Sequence, residues 1–246
     1  MKIRSVLCVI LVAVPLLRGQ TPTAEEILRA ADRNLVTENE IAVTTMTIYG
    51  RRGTRTLKIK SWIVGEEKSF SEYLSPPRDA GTKMLKLGNA LWIYTPASDR
   101  SIKISGHMLR QSLMGSDLSY EDLLENARFS EHYTPELLGS ENLRDRDCWV
   151  LTLTGKDDDP TYAARKIWVD KERKIILKEN RYAKGGTLLK RTEVTEVFQV
   201  DGRWLPRTIR FKDVLSKGKG TEFHIDSLEL DADIPPEVFS KAALRR

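Results

Sequence analysis

The chain has 246 residues, of which 40% are hydrophobic and 30% are charged, and its formal net charge at pH 7 is +5. That length is sufficient for one domain with a sizeable hydrophobic core or for two small domains. Basic and acidic residues are interspersed along the chain, without the clustered basic stripe of a dedicated nucleic-acid-binding protein. We therefore expect no nucleic-acid partner.

Residues 1–20 have the order of features found in a secretory signal peptide. Lys2 and Arg4 form a positive n-region, an apolar run follows over residues 6–17, and the chain then becomes polar. Such a run suits a signal-peptide core and is too short to span a bilayer, which needs about 20 residues. Cleavage after Gly19 or Gln20 removes three basic residues and no acidic one, so the net charge falls to about +2. The alternatives are an uncleaved anchor or a buried helix.

The two cysteines exclude an internal disulfide in the exported chain. Cys8 lies inside the apolar run, where it is not placed as a lipid acceptor, and it leaves with the signal peptide. Cys148 then stands alone, beside Trp149 in an apolar strand. We expect a buried, unreactive thiol there and a domain held together by its hydrophobic core.

A helix is predicted at the start of the exported chain, and strands follow it. Thr23 can cap a helix over Thr23–Asn34, with two glutamates in the first turn and an apolar stripe at Ile27, Leu28 and Ala31. Alternating or β-branched stretches between turn residues then predict six strands. These are Ile41–Tyr49, Thr54–Val64, Lys68–Leu74, Thr82–Leu87, Ala90–Thr95 and Arg100–Ser105.

The pattern changes in the middle of the chain. His107–Ala127 has few β-branched residues and is predicted to be a helical insertion, in which Ser119 and Asp122 have capping-box spacing for a helix over Tyr120–Asn126. Strand patterns then resume, and the prolines at 235–236 open a short terminal helix. The later strands are predicted at Trp149–Thr154, Ala164–Asp170, Ile175–Ala183, Thr187–Phe198, Trp204–Asp213 and Gly220–Leu230.

About a dozen strands without βαβ alternation predict a mainly β (α+β) fold. The expected architecture is one strongly curved antiparallel sheet with a helix at its start and another inserted midway. The sequence has no convincing internal repeat, no low-complexity tract and no long linker. We therefore expect a signal peptide at 1–20 and a single domain at 21–246.

Motifs that would indicate a metal site are missing. His107, His132 and His224 are spread along the chain without metal-ligand spacing. The acidic run at 157–159 lacks the alternating ligands, the turn glycine and the later glutamate of a calcium loop. We expect capping or solvated histidines, a solvated acidic turn and no metal.

A hydrolase is the enzymatic alternative, because Ser105, Ser112, Ser116 and Asp117 lie near His107 in the sequence. However, the chain contains no G-x-S-x-G elbow, no Walker loop and no dinucleotide fingerprint. The segment 115–117 is better explained as a loop that enters a helix. We therefore expect neither catalysis nor a cofactor.

Apolar residues form the remaining candidate site. Strand Ala90–Thr95 carries Leu91, Trp92, Ile93 and Tyr94, which are hydrophobic on both faces, so the strand is buried on both sides or faces a cavity. Methionine favours adaptable apolar surfaces, but on composition alone ordinary core packing explains such clusters better than a ligand cavity does. The first half of the predicted sheet and the predicted helical insertion contain further apolar residues. These are Trp62, Tyr73 and Leu85 in the sheet, and Met108, Leu109, Leu113 and Met114 in the insertion.

Several motifs together resemble one family. Residues 106–123 read GHMLRQSLMGSDLSYEDL, and residues 91–96 read LWIYTP. Further matches are Pro76-Pro77 with Lys83-Met84-Leu85, Asp99-Arg100 and Trp204-Leu205-Pro206. Over residues 23–239 the chain resembles the outer-membrane lipoprotein-sorting family, in its LolA-like branch.

This resemblance implies an incomplete, unclosed β-barrel of about eleven antiparallel strands, with helices covering an apolar cavity. It also implies a periplasmic, non-enzymatic carrier that shields the acyl chains of lipoproteins under a mobile helical lid. Each exposed CH₂ costs about 0.8 kcal/mol in water, which makes shielding necessary. An inner-membrane exporter and an outer-membrane acceptor would be the partners. The expected lining residues are Trp62, Tyr73, Leu85, Trp92, Tyr94, Met108, Leu109, Leu113 and Met114.

The residues do not name the cargo, and other functions stay open. Another lipid, or a hydrophobic substrate passed to an exporter, would use the same cavity. A periplasmic sensor or assembly module, which binds a membrane-protein partner, is the main alternative. An extracytoplasmic hydrolase is the other.

Overall fold

The computed structural model describes residues 21–125, 128–156 and 161–245, so the predicted signal peptide and the acidic run at 157–159 lie outside the described residues. Thirteen antiparallel strands form one sheet, and two short α-helices accompany it. The helices are α1 (Ala24–Leu35) and α2 (Phe129–His132). The strands are β1 (Asn39–Tyr49), β2 (Thr54–Val64), β3 (Lys68–Ser75), β4 (Lys83–Leu87), β5 (Ala90–Thr95), β6 (Arg100–Ile104), β7 (Tyr133–Leu143), β8 (Arg146–Gly155), β9 (Ala164–Asp170), β10 (Ile176–Tyr182), β11 (Leu188–Val200), β12 (Arg203–Asp213) and β13 (Gly220–Leu230).

The order of strands explains why the sheet stays open. It runs β6-β5-β4-β3-β2-β1-β13-β12-β11-β10-β9-β8-β7, so two antiparallel meanders join where the first strand pairs with the last. The two edges, β6 and β7, are consecutive in the sequence but do not pair. The connection between them therefore has to cross the sheet, and we call its residues 105–125, which precede α2, the cover segment.

Helix α1 begins where the sequence predicts. Thr23 and Glu26 form a reciprocal capping box, in which the Glu26 backbone N–H donates to Thr23 Oγ1 at 3.2 Å. The stripe of Ile27, Leu28 and Ala31 is buried against β8 and β9. The face of the sheet that meets α1 and the cover segment is the inner face, and the opposite one is the outer face.

Alternation along the strands separates two cores. On β2, Leu57 and Ile59 are buried in a cluster on the inner face with Leu113 of the cover segment. Trp62 of the same strand belongs to an outer cluster, which the C-terminal residues complete with Phe239. The C-terminal 3₁₀ turns Pro236–Phe239 and Ala243–Arg245 thus pack on the outer face, where the sequence predicted a terminal helix.

The cover segment differs from the predicted helical insertion. It contains three short 3₁₀ turns, Gly106–Arg110, Leu113–Gly115 and Glu121–Leu123, and no α-helix. Met114 and Gly115 both have positive φ, 51° and 82°, which interrupts a right-handed helix. The predicted Ser119–Asp122 contact is present, since the Ser119 backbone N–H donates to Asp122 Oδ2 at 2.6 Å, but only a single 3₁₀ turn follows, and its N-cap residue Tyr120 makes no side-chain cap hydrogen bond.

Strand β7 was not predicted from the sequence. Strand β7 pairs only with β8 and forms an edge of the sheet. Its residues are mostly exposed and include Pro135 and Gly139, so it lacks the apolar alternation of the other strands. Within the described residues, no helix has the length and apolar character that crossing a membrane requires.

Candidate functional site

A cavity of about 500 Å³ lies between the inner face, the C-terminal end of α1 and the cover segment. This volume is within the range of small-molecule sites, roughly 300–1,000 Å³. Strands β1, β2, β3, β4, β5, β12 and β13 all contribute to its wall. Its apolar side chains include Ile59, Met84, Leu91, Leu113, Phe223 and Ile225.

Strand register arranges the cavity wall in cross-strand rows. Ala42 of β1 pairs with Ser61 of β2, which pairs with Ser71 of β3, which pairs with Met84 of β4. Because side chains two residues apart point to the same face, neighbouring rows lie roughly 7 Å apart. The adjacent row places Lys86 of β4 on the same wall.

The cavity continues toward β9 and β10. A second space of about 220 Å³ shares Leu35, Glu125, Pro206 and Ile209 with the first. Its far end is lined by Phe129 of α2 and by charged side chains of β9 and β10. The inner face therefore offers one extended space with a mostly apolar middle.

Polar groups occupy one side of the main cavity. The hydroxyls of Ser61 and Ser71 are hydrogen-bonded to each other at 2.8 Å. The Lys86 side chain is buried, with 8% of the residue exposed. Burial lowers the pKa of the Lys86 ammonium, although Glu66 and Glu67 act in the opposite direction. A cationic group thus projects into the cavity, whose other charged lining residues are Glu40, Glu66, Lys68 and Glu125.

Asp122 fastens the cover segment to three strands or loops of the sheet. Its carboxylate accepts hydrogen bonds from the Tyr162 hydroxyl at 2.6 Å, from Arg181 at 3.1 Å and from Lys190. Burial alone raises its pKa, but Arg181 and Lys190 outweigh that effect and hold the pKa of Asp122 below its usual range. The carboxylate is therefore ionised at neutral pH and tightly held.

Arg165 is the centre of a second buried set of charges. It is 1% exposed, donates to Glu125 at 2.6 Å and also donates to Glu179. Its guanidinium lies 4.6 Å from the ring centre of Phe129, with two tyrosine rings nearby. Burial raises the pKa of Glu125 despite its arginine partners. Glu125, at the end of the cover segment, is thus bound to β9.

Asp117 holds the middle of the cover segment. Its carboxylate accepts hydrogen bonds from the Thr221 hydroxyl at 2.9 Å and from the Asp213 backbone N–H at 3.0 Å. Ser116 donates to the Leu118 carbonyl in the same turn. Ser116 and Asp117, two of the five residues considered for a hydrolase, therefore have structural partners that shape this loop.

The structure places the nine sequence-predicted lining residues on two faces. Tyr73 and Leu113 line the main cavity. Met108, Leu109 and Met114 pack against the same inner cluster without lining the cavity. The remaining four lie in the outer cluster, beneath the C-terminal turns: Trp62, Leu85, Trp92 and Tyr94.

Alternation on β2, β4 and β5 is the reason for this split. Leu91 and Ile93 point inward, so Trp92 and Tyr94 between and beyond them point outward. Trp92 lies under the Lys241 ammonium, 4.6 Å from its ring centre. These outer side chains therefore contact the C-terminal segment and not the cavity.

Sequence reasoning missed the charged side chains of the inner face. Lys86 follows Met84 at a spacing of two, and Glu179 and Arg181 are likewise two apart, which is the signal that could have placed each pair on one face. Charged residues in strands are more often solvent-facing.

Cys148 is buried as expected, and burial raises the pKa of its thiol to about 11.

Metal ligands do not cluster in the part of the chain that the structure describes: no group of three or more His, Cys, Asp or Glu residues is arranged to hold an ion. His224 shares a hydrogen bond of 2.8 Å with the Thr208 hydroxyl. Its role is therefore in the packing of β12 against β13.

An open antiparallel sheet whose edge-to-edge connection covers an internal cavity defines the LolA-like, unclosed-barrel class. The chain belongs to a family whose model carries the description "-like: Uncharacterized protein" and matches residues 65–246. Among curated proteins there is no significant match.

Solved structures share the fold over nearly the whole chain. A DUF1329 family protein from Desulfovibrio piger has 24% identity and a TM-score of 0.82, over 90% of this chain and 97% of that one. A putative outer membrane lipoprotein-sorting protein domain from Vibrio parahaemolyticus has 26% identity and a TM-score of 0.77, over 91% and 98%. A LolA superfamily protein from Nitrosomonas europaea has 26% identity and a TM-score of 0.74, over 91% and 100%.

Proposed function

We propose that this protein is a non-enzymatic periplasmic carrier that shields the acyl chains of lipoproteins, or of another lipid, during outer-membrane sorting. The observation that carries the proposal is the cavity of about 500 Å³ beneath the cover segment. Two similar solved structures are described as a lipoprotein-sorting domain and a LolA superfamily protein, which supports a hydrophobic carrier role.

The composition of the cavity wall fits an acyl chain. Branched and aromatic side chains such as Ile59, Leu91 and Phe223 line the space. Each methylene group that moves from water into such surroundings contributes about 0.8 kcal/mol. A chain of sixteen carbons thus has a large driving force for entering a preformed apolar space.

Cargo exchange requires the cover segment to move. Leu113 lies in the cavity wall, and Leu118 of the same segment is buried beside it in the inner core. The charged contacts of Asp122 and Glu125 oppose that movement because their separation exposes buried ions. In the proposed cycle, a membrane partner lowers this cost when it loads or unloads the carrier.

Location and partners follow from the same proposal. The predicted signal peptide takes the chain out of the cytoplasm. An inner-membrane exporter would deliver the cargo, and an outer-membrane acceptor would receive it. The buried ion pairs of the cover segment would keep the cavity shut between the two membranes.

Native mass spectrometry of the protein purified from the periplasm tests the proposal. We expect a species whose extra mass corresponds to a lipid or an acylated peptide and disappears after solvent extraction. Reloading the extracted protein with lipid extract should restore it. Protein that is always free of added mass, and that takes up no lipid on reloading, would contradict a carrier function.

A further inference from the structure

Lys86 is the polar residue of the cavity whose position needs an explanation. It lies on the inner face of β4, opposite Ser69 of β3 and Leu91 of β5. Only 8% of the residue is exposed. In the part of the chain that the structure describes, its ammonium has no hydrogen-bond or salt-bridge partner. A buried cation without a direct partner is unfavourable, and such a group in a cleft is a candidate for ligand binding.

The acidic residues of the cavity wall already have other partners. Glu66 accepts a hydrogen bond from the Arg128 backbone N–H at 2.9 Å and lies 3.4 Å from its Nε atom. Glu40 accepts from the Thr37 hydroxyl at 2.7 Å. Glu125 is held by Arg165, as described above. These three carboxylates thus have other partners, and Glu66 and Glu67 act on the Lys86 ammonium electrostatically without a hydrogen bond or an ion pair to it. The Lys86 ammonium therefore keeps its donors for an anion.

The wall changes from polar to apolar in the direction away from Lys86. Ser69 is its cross-strand neighbour, and the hydrogen-bonded pair of Ser61 and Ser71 lies one row further along the strands. Beyond them the wall consists of apolar side chains such as Ile59. A molecule with an anionic head and an acyl tail matches this gradient from end to end.

We propose that Lys86 is the headgroup site of the cavity and selects acyl-chain amphiphiles that carry a carboxylate or phosphate over neutral amphiphiles of equal length. The hydroxyl of Ser69 is the second donor to the headgroup. This inference rests on the proposed function, in which the cavity takes up acyl chains, and it narrows the cargo to anionic lipids.

The test displaces the neutral dye phenylnaphthylamine from purified protein with palmitate, hexadecyl phosphate or hexadecanol. We expect at least one anionic ligand to bind about tenfold more tightly than hexadecanol, and the tighter anion identifies the headgroup. Lys86→Met should reduce this preference below about twofold and leave hexadecanol binding unchanged. Lys86→Arg should keep it.

Lys60→Met is the matched control, because Lys60 lies on the outer face of β2, 4.9 Å from the Trp62 ring centre. It should retain the wild-type preference. The headgroup site would be overturned if wild type bound the three ligands with equal affinity or if Lys86→Met kept the full preference. Dye and ligand binding would still support a carrier in that case. Absence of any saturable dye or ligand binding would instead overturn the proposed function itself.

Discussion

The Nη1 atom of Arg181 lies 3.1 Å from the Oδ1 atom of Asp122, so a buried ion pair joins the cover segment to strand β10. The two residues are 59 positions apart in the chain. The Asp122 side chain is 3% exposed and also binds Lys190 of β11. Asp122, which lies within the 3₁₀ turn Glu121–Leu123, therefore fixes that turn over the inner face.

Replacing Asp122 should loosen the cover segment. Asp122→Asn removes the charge, and charge-assisted hydrogen bonds contribute about 1.5–3 kcal/mol. We expect the backbone amides of Tyr120 and Leu124 to exchange hydrogen at least about tenfold faster, while exchange in β8 stays unchanged. Glu121→Gln, in the same turn, is the control. Equal exchange in the two variants would show that Asp122 does not hold the segment.

Arg165 should matter for the stability of the whole domain. Arg165→Met leaves Glu125 and Glu179 buried with fewer cationic partners, and breaking a buried pair costs about 3–5 kcal/mol. Arg210→Met removes the pair with Glu222, in which the arginine is half-exposed, and should cost about 1 kcal/mol or less. Urea unfolding measures both free energies. Similar losses in the two variants would contradict the importance of the buried set.

Local sequence patterns predicted the strands well. Strand patterns between turn residues predicted Thr54–Val64, Ala90–Thr95 and Ala164–Asp170, which are the observed bounds of β2, β5 and β9. Strand β7 was missed because an exposed edge strand does not need alternating apolar residues. The cover segment was predicted to be helical because its composition lacks β-branched residues. Its observed backbone conformation instead depends on the contacts that Asp117, Asp122 and Glu125 make with distant parts of the chain.

The site was harder to predict because its geometry is non-local. Alternation shows that Leu91 and Trp92 lie on opposite faces of a strand, but not which face encloses the cavity. The outer face carries large aromatic residues because the C-terminal turns cover it. Contacts such as that of Asp122 with Arg181 depend on the order of strands in the sheet, which no short pattern contains.

Asp170 should make stability depend on pH. Burial opposes its ionisation, but hydrogen bonds from Arg146 at 2.7 Å and 3.0 Å and from two backbone N–H groups hold its pKa below the usual range. Such a carboxylate stabilises the fold above its unfolded pKa of about 3.9, and this contribution is lost as the pH falls through the lower folded value.

Comparing Asp170→Asn with wild type measures that contribution. The variant should lose about 2–3 kcal/mol of unfolding free energy at pH 7, and the difference should shrink as the pH falls below about 4. Asp147→Asn, whose carboxylate is exposed, should stay within about 0.5 kcal/mol at both pH values. A difference for Asp170→Asn that grows as the pH falls would contradict the assigned role.

Acyl-chain binding in the inner cavity is tested most directly by filling it. Thr44 lies in the cavity wall, whereas the next residue, Thr45, faces outward and donates to Asp226 at 2.8 Å. The fluorescent probes are cis-parinaric acid and its methyl ester. Wild type and Thr45→Trp should both bind each probe saturably, and for each probe the two proteins should have similar affinities. Thr44→Trp should weaken binding of both probes at least about tenfold, because the indole takes the place of the chain. Undiminished binding by Thr44→Trp would contradict the assignment of this cavity as the acyl-chain site.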